Sequence, residues 1–357
     1  TMKHDLTKVT GANVSVKITD EFMKAVEEDK LFSLEFPVGA NGESKIKKDV
    51  KAKQLWNRIV SSATKTAEPG LLMWDNITKR LPANEYEEFK TVCVNPCAEI
   101  ALSAYDSCRL ISINLKNFVD DAFSGTARFN FTRFRDVVKT AMRLSDDLVE
   151  LEIEKLTKIK ESCEVEDECE MWENMLQACK NGRRTGLGTH GLADTIACLE
   201  LKYDSRKALT IIDGIYKILK VTAYEESVNL AKDRGAFPAF DWEKEKNNEF
   251  IKELPEKLRN DIKKHGRRNI SILTNAPTGS VSIMSQTSTG IEPVFRNSYT
   301  RRRKLAHNEQ NLQADFVDQM GDKWREYEVL HHNLRDYFDF SKKKEIPSYF
   351  VTSEEID

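Results

Sequence analysis

At 357 residues, with 40% of them hydrophobic, the chain can bury the core of one large domain or two smaller ones. A net charge of −3 and 32% charged residues describe a well-solvated surface and argue against a nucleic-acid-coating role. No apolar run reaches the roughly eighteen residues of a membrane span, the first residues lack a signal-peptide pattern, and seven cysteines, an odd number, do not make a secreted disulfide framework; a reducing cytoplasmic compartment is expected.

In chain order, Asn13 to Ile18 alternates apolar and polar residues and reads as a strand. Thr19 is placed to cap a helix carrying Phe22, Ala25 and Val26. Leu31 to Val38 reads as a second strand with a turn at Gly39 to Gly42, and Asp49 to Ala67 as an amphipathic helix with Ala52, Leu55, Trp56, Ile59 and Val60 on one face. Glu68-Pro69-Gly70 stops that helix, and Leu71 to Ile77 follows as a short apolar element. Leu110 to Leu115 is a strand candidate, and Thr132 to Ile153 a long helix with an apolar stripe from Phe134 to Leu151. The charged stretch 154–181, holding Cys163 and Cys169, reads as a solvated helical excursion. Ser205 to Asp233 is helical with Gly235 as its stop, Trp242 to Lys264 is mostly charged helix, and Ile270 to Leu273 is an apolar strand. The basic run from Arg296 to Lys304 has the usual meaning of a solvated face, and 309–357 carries no readable motif.

Three stretches carry candidate chemistry. The first is Val94 to Leu115, VNPCAEIALSAYDSCRLISINL. In an extended reading Asn95, Cys97 and Glu99 point to one side, and Pro96 favours a loop or edge over a central strand. Cys108 adds a second thiol eleven residues after Cys97. An amide, a soft sulfur, a base and a spare thiol suit redox chemistry on a polar organic substrate. Any one cysteine is more often a small buried hydrophobe, and a zinc site finds no CxxC spacing and no nearby histidine, so no metal is expected. The second stretch, Gly186 to Gly191, matches GxGxxG, but the residues before it read as helix, which is the wrong context for a dinucleotide fold. The third, Asn269 to Val294, runs from a strand into Pro277, Thr278, Gly279, Ser280, Val281 and Ser282 and then a helix start. Free N–H groups at such a start suit a phosphate, although the P-loop lysine is absent and composition alone favours an ordinary capped loop.

The order and spacing of these residues resemble the large chains of ribonucleotide reductases. NPCxE followed by a cysteine at this distance resembles their active-site finger loop, EPGLLMWDNI the segment before it, and PTGSVSI…STGIEP the loop that holds the substrate phosphates. The resemblance implies roles. Cys97 is the expected thiyl radical that takes the ribose 3′ hydrogen, Glu99 the general base on the 3′ hydroxyl, Asn95 the amide that holds Glu99 and the substrate hydroxyls, and Cys108 one member of the redox pair. Pro277, Thr278, Gly279, Ser280, Val281 and Ser282 are the expected phosphate contacts. The resemblance also replaces the dinucleotide reading: RRTGLGTHGLAD becomes a structural turn-to-helix, with His190 a local hydrogen-bonding residue.

The implied fold is α/β, part of the ten-stranded α/β barrel of thiyl-radical enzymes with a central finger loop. The implied activity is reduction of ribonucleoside di- or triphosphates for DNA synthesis. TDEFMKAV, EPGLL, NPCxE and PTGSVSI lean to the adenosylcobalamin-dependent class II, with Ala98 in place of that class's frequent Gly; the alternative is a radical from a separate di-metal small subunit. Implied partners are the nucleotide, a thioredoxin- or glutaredoxin-like dithiol and a second copy in a homodimer, with no nucleic acid and no membrane. The family places the second redox thiol upstream of the residue at which this sequence starts, and none of Cys93, Cys163, Cys169, Cys179 or Cys198 matches it. The chain thus reads as incomplete at both ends and is expected to turn over only with the N-terminal portion. Two rivals are a non-catalytic barrel fragment that complements an intact reductase and a Rossmann-type oxidoreductase.

Overall fold

Strand β1 (Ser15–Ile18) is the first element of a computed structural model that describes residues 12–36, 45–309 and 311–356. Thr19 caps helix α1 (Asp20–Glu27), its hydroxyl accepting from the Phe22 N–H at 3.1 Å, as the sequence predicts. Strand β2 (Leu31–Phe36) pairs antiparallel with β3 (Ile46–Lys51); the turn expected at Gly39 to Gly42 lies outside the described residues. Helix α2 (Ala52–Thr66) therefore starts later than its periodicity suggests, because the β2 ladder captures Asp49 to Lys51. The apolar element after Gly70 divides into β4 (Gly70–Met73), parallel to β1, and helix α3 (Trp74–Arg80). Strands β5 (Cys93–Val94) and β6 (Ala101–Leu102) form a short hairpin.

Strand β7 (Leu110–Asn114) is followed by the small pair β8 (Val119–Asp120) and β9 (Arg128–Phe129). Helices α4 (Phe131–Glu161) and α5 (Glu166–Gly182) then make a long hairpin. The charged stretch 154–181 is the far part of this hairpin, anchored by buried Leu156, Leu176 and Cys179. Cys163 and Cys169 are joined there by a disulfide with Cα atoms 5.5 Å apart, a bond the reading as reduced thiols did not include. Strand β10 (Gly186–His190) pairs parallel with β7 and leads through Gly191 into α6 (Leu192–Cys198). Helix α7 (Arg206–Arg234) has Ser205 as its N-cap and Gly235 after it.

The charged helix expected from Trp242 to Lys264 is three pieces, α8 (Trp242–Glu245), α9 (Glu249–Lys252) and α10 (Glu256–His265). The Asn248 side chain caps α9 by accepting from Phe250 N–H at 3.0 Å, and Pro255, which has no N–H, starts α10. Ile270 to Leu273 lies beside β10, with Thr185 and Leu187 N–H groups donating to the Ser271 and Ile272 carbonyls at 2.9 and 2.8 Å. Helix α11 (Gly279–Ser285) precedes β11 (Ser298–Lys304), which pairs with β13 (Lys323–Leu330); β12 (Phe316–Val317) pairs on the other edge of β13, and α12 (His332–Ser341) follows. The basic run on β11 meets acidic partners, Arg302 with Glu326, Arg303 with Glu309 and Lys304 with Asp322, in keeping with a solvated face.

The chain divides into two compact units, residues 1–104 with 241–254, and 105–240 with 255–357. Each is mixed α/β. Strands pair in sheets of two or three, and among the described residues no closed barrel forms. The first unit buries Ile18, Phe22, Ala25, Val26, Ala52 and Ile59 between β1, α1 and α2. The second has an apolar core of Phe123, Ala197, Cys198, Leu334, Tyr337 and Phe350, and beside α4 a buried ionic centre. Asp146, fully buried, accepts from Arg183 at 2.8 Å, Arg234 at 3.0 Å, Arg268 at 3.3 Å and Asn269 at 3.1 Å. Burial raises its proton affinity, but the facing Arg183 and Arg268 guanidinium groups outweigh this and hold the carboxyl below the usual range. Removing one member of such a centre strands buried charge. Asp146→Ala is therefore expected to cost about 3–5 kcal/mol in urea denaturation. Asp147→Ala, which loses a partly exposed bond to Arg234, should stay within about 0.5 kcal/mol.

Candidate active site

The first candidate group is the turn of the β5–β6 hairpin. Asn95 N–H donates to the Ile100 carbonyl at 3.2 Å and Ala98 N–H to the Asn95 carbonyl at 2.9 Å, which closes the turn, and Ala98 takes a left-handed φ of 64°. The Asn95 side chain does two jobs. Its oxygen accepts from Ile100 N–H at 3.0 Å, and its amide donates to the Glu99 carboxylate. Amide and carboxylate thus meet through a turn, not through the pleat of an extended strand as the spacing suggested; φ > 0 at Ala98 reverses the chain between them. Asn95 and Glu99 are half-buried, Ile100 anchors the turn, and Cys97 is exposed at its tip.

Cys108 and the Pro277–Ser282 loop belong to the second unit. The Cys108 thiol is half-buried just before β7. Arg109 next to it is buried, pairs with Glu152, and donates to the Arg184 carbonyl at 2.7 Å and to Cys179 Sγ at 3.0 Å. At the C-terminal end of β10, His190 bridges Ser112 Oγ on β7 (Nδ1, 2.8 Å) and Ser285 Oγ at the end of α11 (Nε2, 3.0 Å). Burial lowers its pKa below 6.5, with Asp194 opposing, so the neutral ring is favoured.

The third group is the start of α11. Thr278 stands in the left-handed region at φ 54°, buried, with its hydroxyl accepting from Gly290 N–H at 2.9 Å. Pro277, Gly279, Ser280 and Val281 are exposed, and Ser282 is buried with its hydroxyl on the Gly279 carbonyl at 2.8 Å. The first-turn N–H groups of a helix have no partner within it, so this is a place where an anion can be received.

The GxGxxG glycines are used otherwise. Gly186 and Gly188 lie inside β10, where a dinucleotide motif would have its turn. A Cβ on Gly188 would meet the Thr274 carbonyl oxygen at 1.9 Å, so the glycine lets the neighbouring segment approach. Among the described residues no cluster of three or more His, Cys, Asp or Glu side chains is arranged to hold a metal ion, and no helix is long and apolar enough to cross a membrane. Sequence reasoning passed over Asp194 and His331. The first lay in the GTHGLAD segment, but its partners Ser288 and His331 are 94 and 137 residues away.

Comparison with known proteins bears on this arrangement. The family profile described as "Ribonucleotide reductase, barrel domain" matches residues 2–357. The chain is 30% identical to the vitamin B12-dependent ribonucleoside-diphosphate reductase of Thermoplasma acidophilum over 98% of this chain and 40% of that one. It is 31% identical to the protein of the same name from Mycobacterium tuberculosis (strain CDC 1551) over 81% of this chain and 36% of that one. The class Id ribonucleotide reductase alpha subunit of Actinobacillus ureae has a similar fold, with a TM-score of 0.58 at 20% identity, over 83% of this chain and 46% of that one. This mixed α/β chain therefore belongs to the ribonucleotide reductase barrel-domain family. It spans about two fifths of the length of the first of these curated relatives.

Two measurements follow from the geometry. Burial pushes the Cys179 thiol up to about 11 and the Cys198 thiol up to about 12, whereas Cys93 and Cys97 are exposed. Timed iodoacetamide labelling read by mass spectrometry should therefore modify Cys93 and Cys97 well before Cys179 and Cys198. The depressed His190 pKa favours folding above 6.5, and that contribution is lost as pH falls through the lower folded value. Urea midpoints should drop on acidification from about pH 7 to about pH 5, and His190→Gln should remove part of that slope.

Proposed function

We propose that this chain carries the reacting groups of ribonucleotide reduction: replacement of the 2′ hydroxyl of a ribonucleoside diphosphate, or triphosphate, by hydrogen. The observation that carries the reading is the hairpin turn itself. It holds an exposed thiol, Cys97, two residues from a carboxylate, Glu99, that the Asn95 amide fixes.

The C2′–O bond is inert to ordinary acid–base chemistry, and a radical at C3′ makes it labile. In this scheme the Cys97 sulfur, as a thiyl radical, takes the 3′ hydrogen atom. Glu99 accepts the 3′ hydroxyl proton as water departs from C2′, which is general-base work. Asn95 keeps Glu99 oriented. Two thiols, Cys108 and a second one, then give up two electrons and two protons and become a disulfide, and Cys97 returns its hydrogen to C3′. The balance is one ribonucleotide and two thiols to one deoxyribonucleotide, water and a disulfide. A thioredoxin- or glutaredoxin-like dithiol restores the pair by exchange. The phosphates sit on Thr278, Gly279, Ser280, Val281 and Ser282 beside Pro277, partly through main-chain N–H groups.

The relatives named as vitamin B12-dependent support adenosylcobalamin as the radical source. When bound it supplies the one-electron chemistry that starts the cycle, and the feature here that fits it is the Cys97 sulfur, exposed at the hairpin tip where a hydrogen atom can be drawn from it. The family match supports reading the chain as reductase barrel; in our reading residues 1–357 are part of a ten-stranded α/β barrel, with 154–181 as a helical excursion and the Cys97 hairpin as the finger loop, that acts with the N-terminal portion of the reductase in a homodimer.

The test uses the protein that carries these residues, supplied with adenosylcobalamin and a dithiol reductant. Cys97→Ser should abolish deoxyribonucleotide formation while nucleotide binding persists, and Glu99→Gln should slow turnover by about 10²–10⁴-fold. Turnover that survives Cys97→Ser would remove the reading and favour a non-catalytic scaffold.

A further inference from the structure

The segment Gly186–Asp194 takes no part in the scheme above, yet its groups hold the return of the phosphate loop. After α11 the chain runs back from Ser285 to Gly290. His190 Nε2 lies 3.0 Å from Ser285 Oγ, and that hydroxyl lies 2.9 Å from Thr287 Oγ1. Gly191 N–H donates to the Ser288 carbonyl at 3.1 Å. Asp194 Oδ2 accepts from Ser288 N–H at 2.8 Å, and Ser288 Oγ accepts in turn from Asp194 N–H at 3.3 Å. Gly290 N–H then closes on Thr278 Oγ1 at 2.9 Å. Asp194 and Ser288 are 3% and 2% exposed, so the reciprocal pair works away from water. Asp194 is itself held, by His331 Nε2 on Oδ1 at 2.7 Å and by Asn333 Nδ2 on its carbonyl at 3.2 Å.

This latch answers a physical need. Helix α11 has seven residues, too few to persist on their own propensity. Thr278 before it is β-branched and left-handed, a conformation that costs energy. The direction of the Gly279 and Ser280 N–H groups therefore depends on bonds from outside the loop. Those bonds come from the end of β10 and the first turn of α6.

We propose that Asp194, with His190, is a positioning residue for nucleotide binding: it fixes Ser285–Gly290 and, through Thr278, the geometry of the Pro277–Ser282 loop, without touching substrate. The proposal rests on the reading of that loop as the phosphate site. It is tested in the complete enzyme by equilibrium dialysis of a ribonucleoside diphosphate and of the parent nucleoside, which lacks the phosphates.

Asp194→Ala should raise the diphosphate Kd about tenfold, the effect of one lost charge-assisted bond, and leave the nucleoside Kd unchanged. Asp194→Asn keeps an acceptor for Ser288 N–H and should recover most of the affinity. A merely structural role would lower the melting temperature and the active fraction but leave both Kd values where they were, and that result overturns the proposal. Ser280→Glu, which puts a negative charge on the exposed first turn of α11, tests the underlying reading. If it raises the diphosphate Kd while Asp194→Ala does not, the phosphate site stands and the latch falls. If neither does, the phosphate reading fails and the latch falls with it. Should Asp194→Ala not fold, Ser285→Ala decides: a several-fold rise confined to the diphosphate supports the latch, and an unchanged Kd overturns it.

Discussion

A close approach of two backbones underlies the second unit. Strand β10 is buried at all five residues, with β7 along one edge and the 271–274 segment along the other. At Gly188 the Thr274 carbonyl stands where any Cβ would be, and at Gly186 the side chains of Thr274 and Leu110 crowd the same space. Only glycine allows three extended segments to come together there. From this contact hang β7, which continues from Cys108; the His190 bridge; and the segment that delivers Pro277 to the start of α11. A spacing that resembles nucleotide recognition is spent here on packing.

Around that sheet the stability is divided between apolar and ionic parts. The α4–α5 hairpin closes on Val149, Leu156, Leu176 and Cys179. One turn from Val149, Asp146 gathers three arginines and an asparagine from the residue that ends α5, from α7 and from the segment after α10. Such centres add less net stability than apolar residues of equal volume, since each charge loses its water. What this one contributes is direction: a carboxylate with several fixed donors permits few arrangements of the four segments it joins.

The hairpin of the first unit follows a different rule. Its turn is small, partly exposed and closed by three hydrogen bonds centred on Asn95. Asn95 serves the backbone and Glu99 at once, so the residue that shapes the turn also fixes the carboxylate. The sulfur between them is left outward. A thiol on such a tight turn is held by local bonds and still open to solvent.

Much of this was legible in the residue order. Thr19, Ser205 and Gly235 mark helix ends because capping is a local exchange between a side chain and the nearest backbone. The stripe on α4 and the alternation in β1 report buried faces for the same reason, and the NPCAE and PTGSVS motifs named the candidate groups before any geometry was known. Other features depended on chain segments that meet only on folding. Lys51 joins a strand because β2 lies beside it, the Trp242–Lys264 stretch breaks at Asn248 and Pro255, and Gly188 matters because of Thr274. Asp194 and His331 drew no attention, since the groups that bond the aspartate's carboxylate, Ser288 N–H and the His331 ring, lie 94 and 137 residues away. Local patterns thus determined the elements and the candidate residues of this protein. Packing decided which glycine, histidine and carboxylate hold them in place, because a hydrogen bond or a steric contact depends on distance in space and is indifferent to distance along the chain.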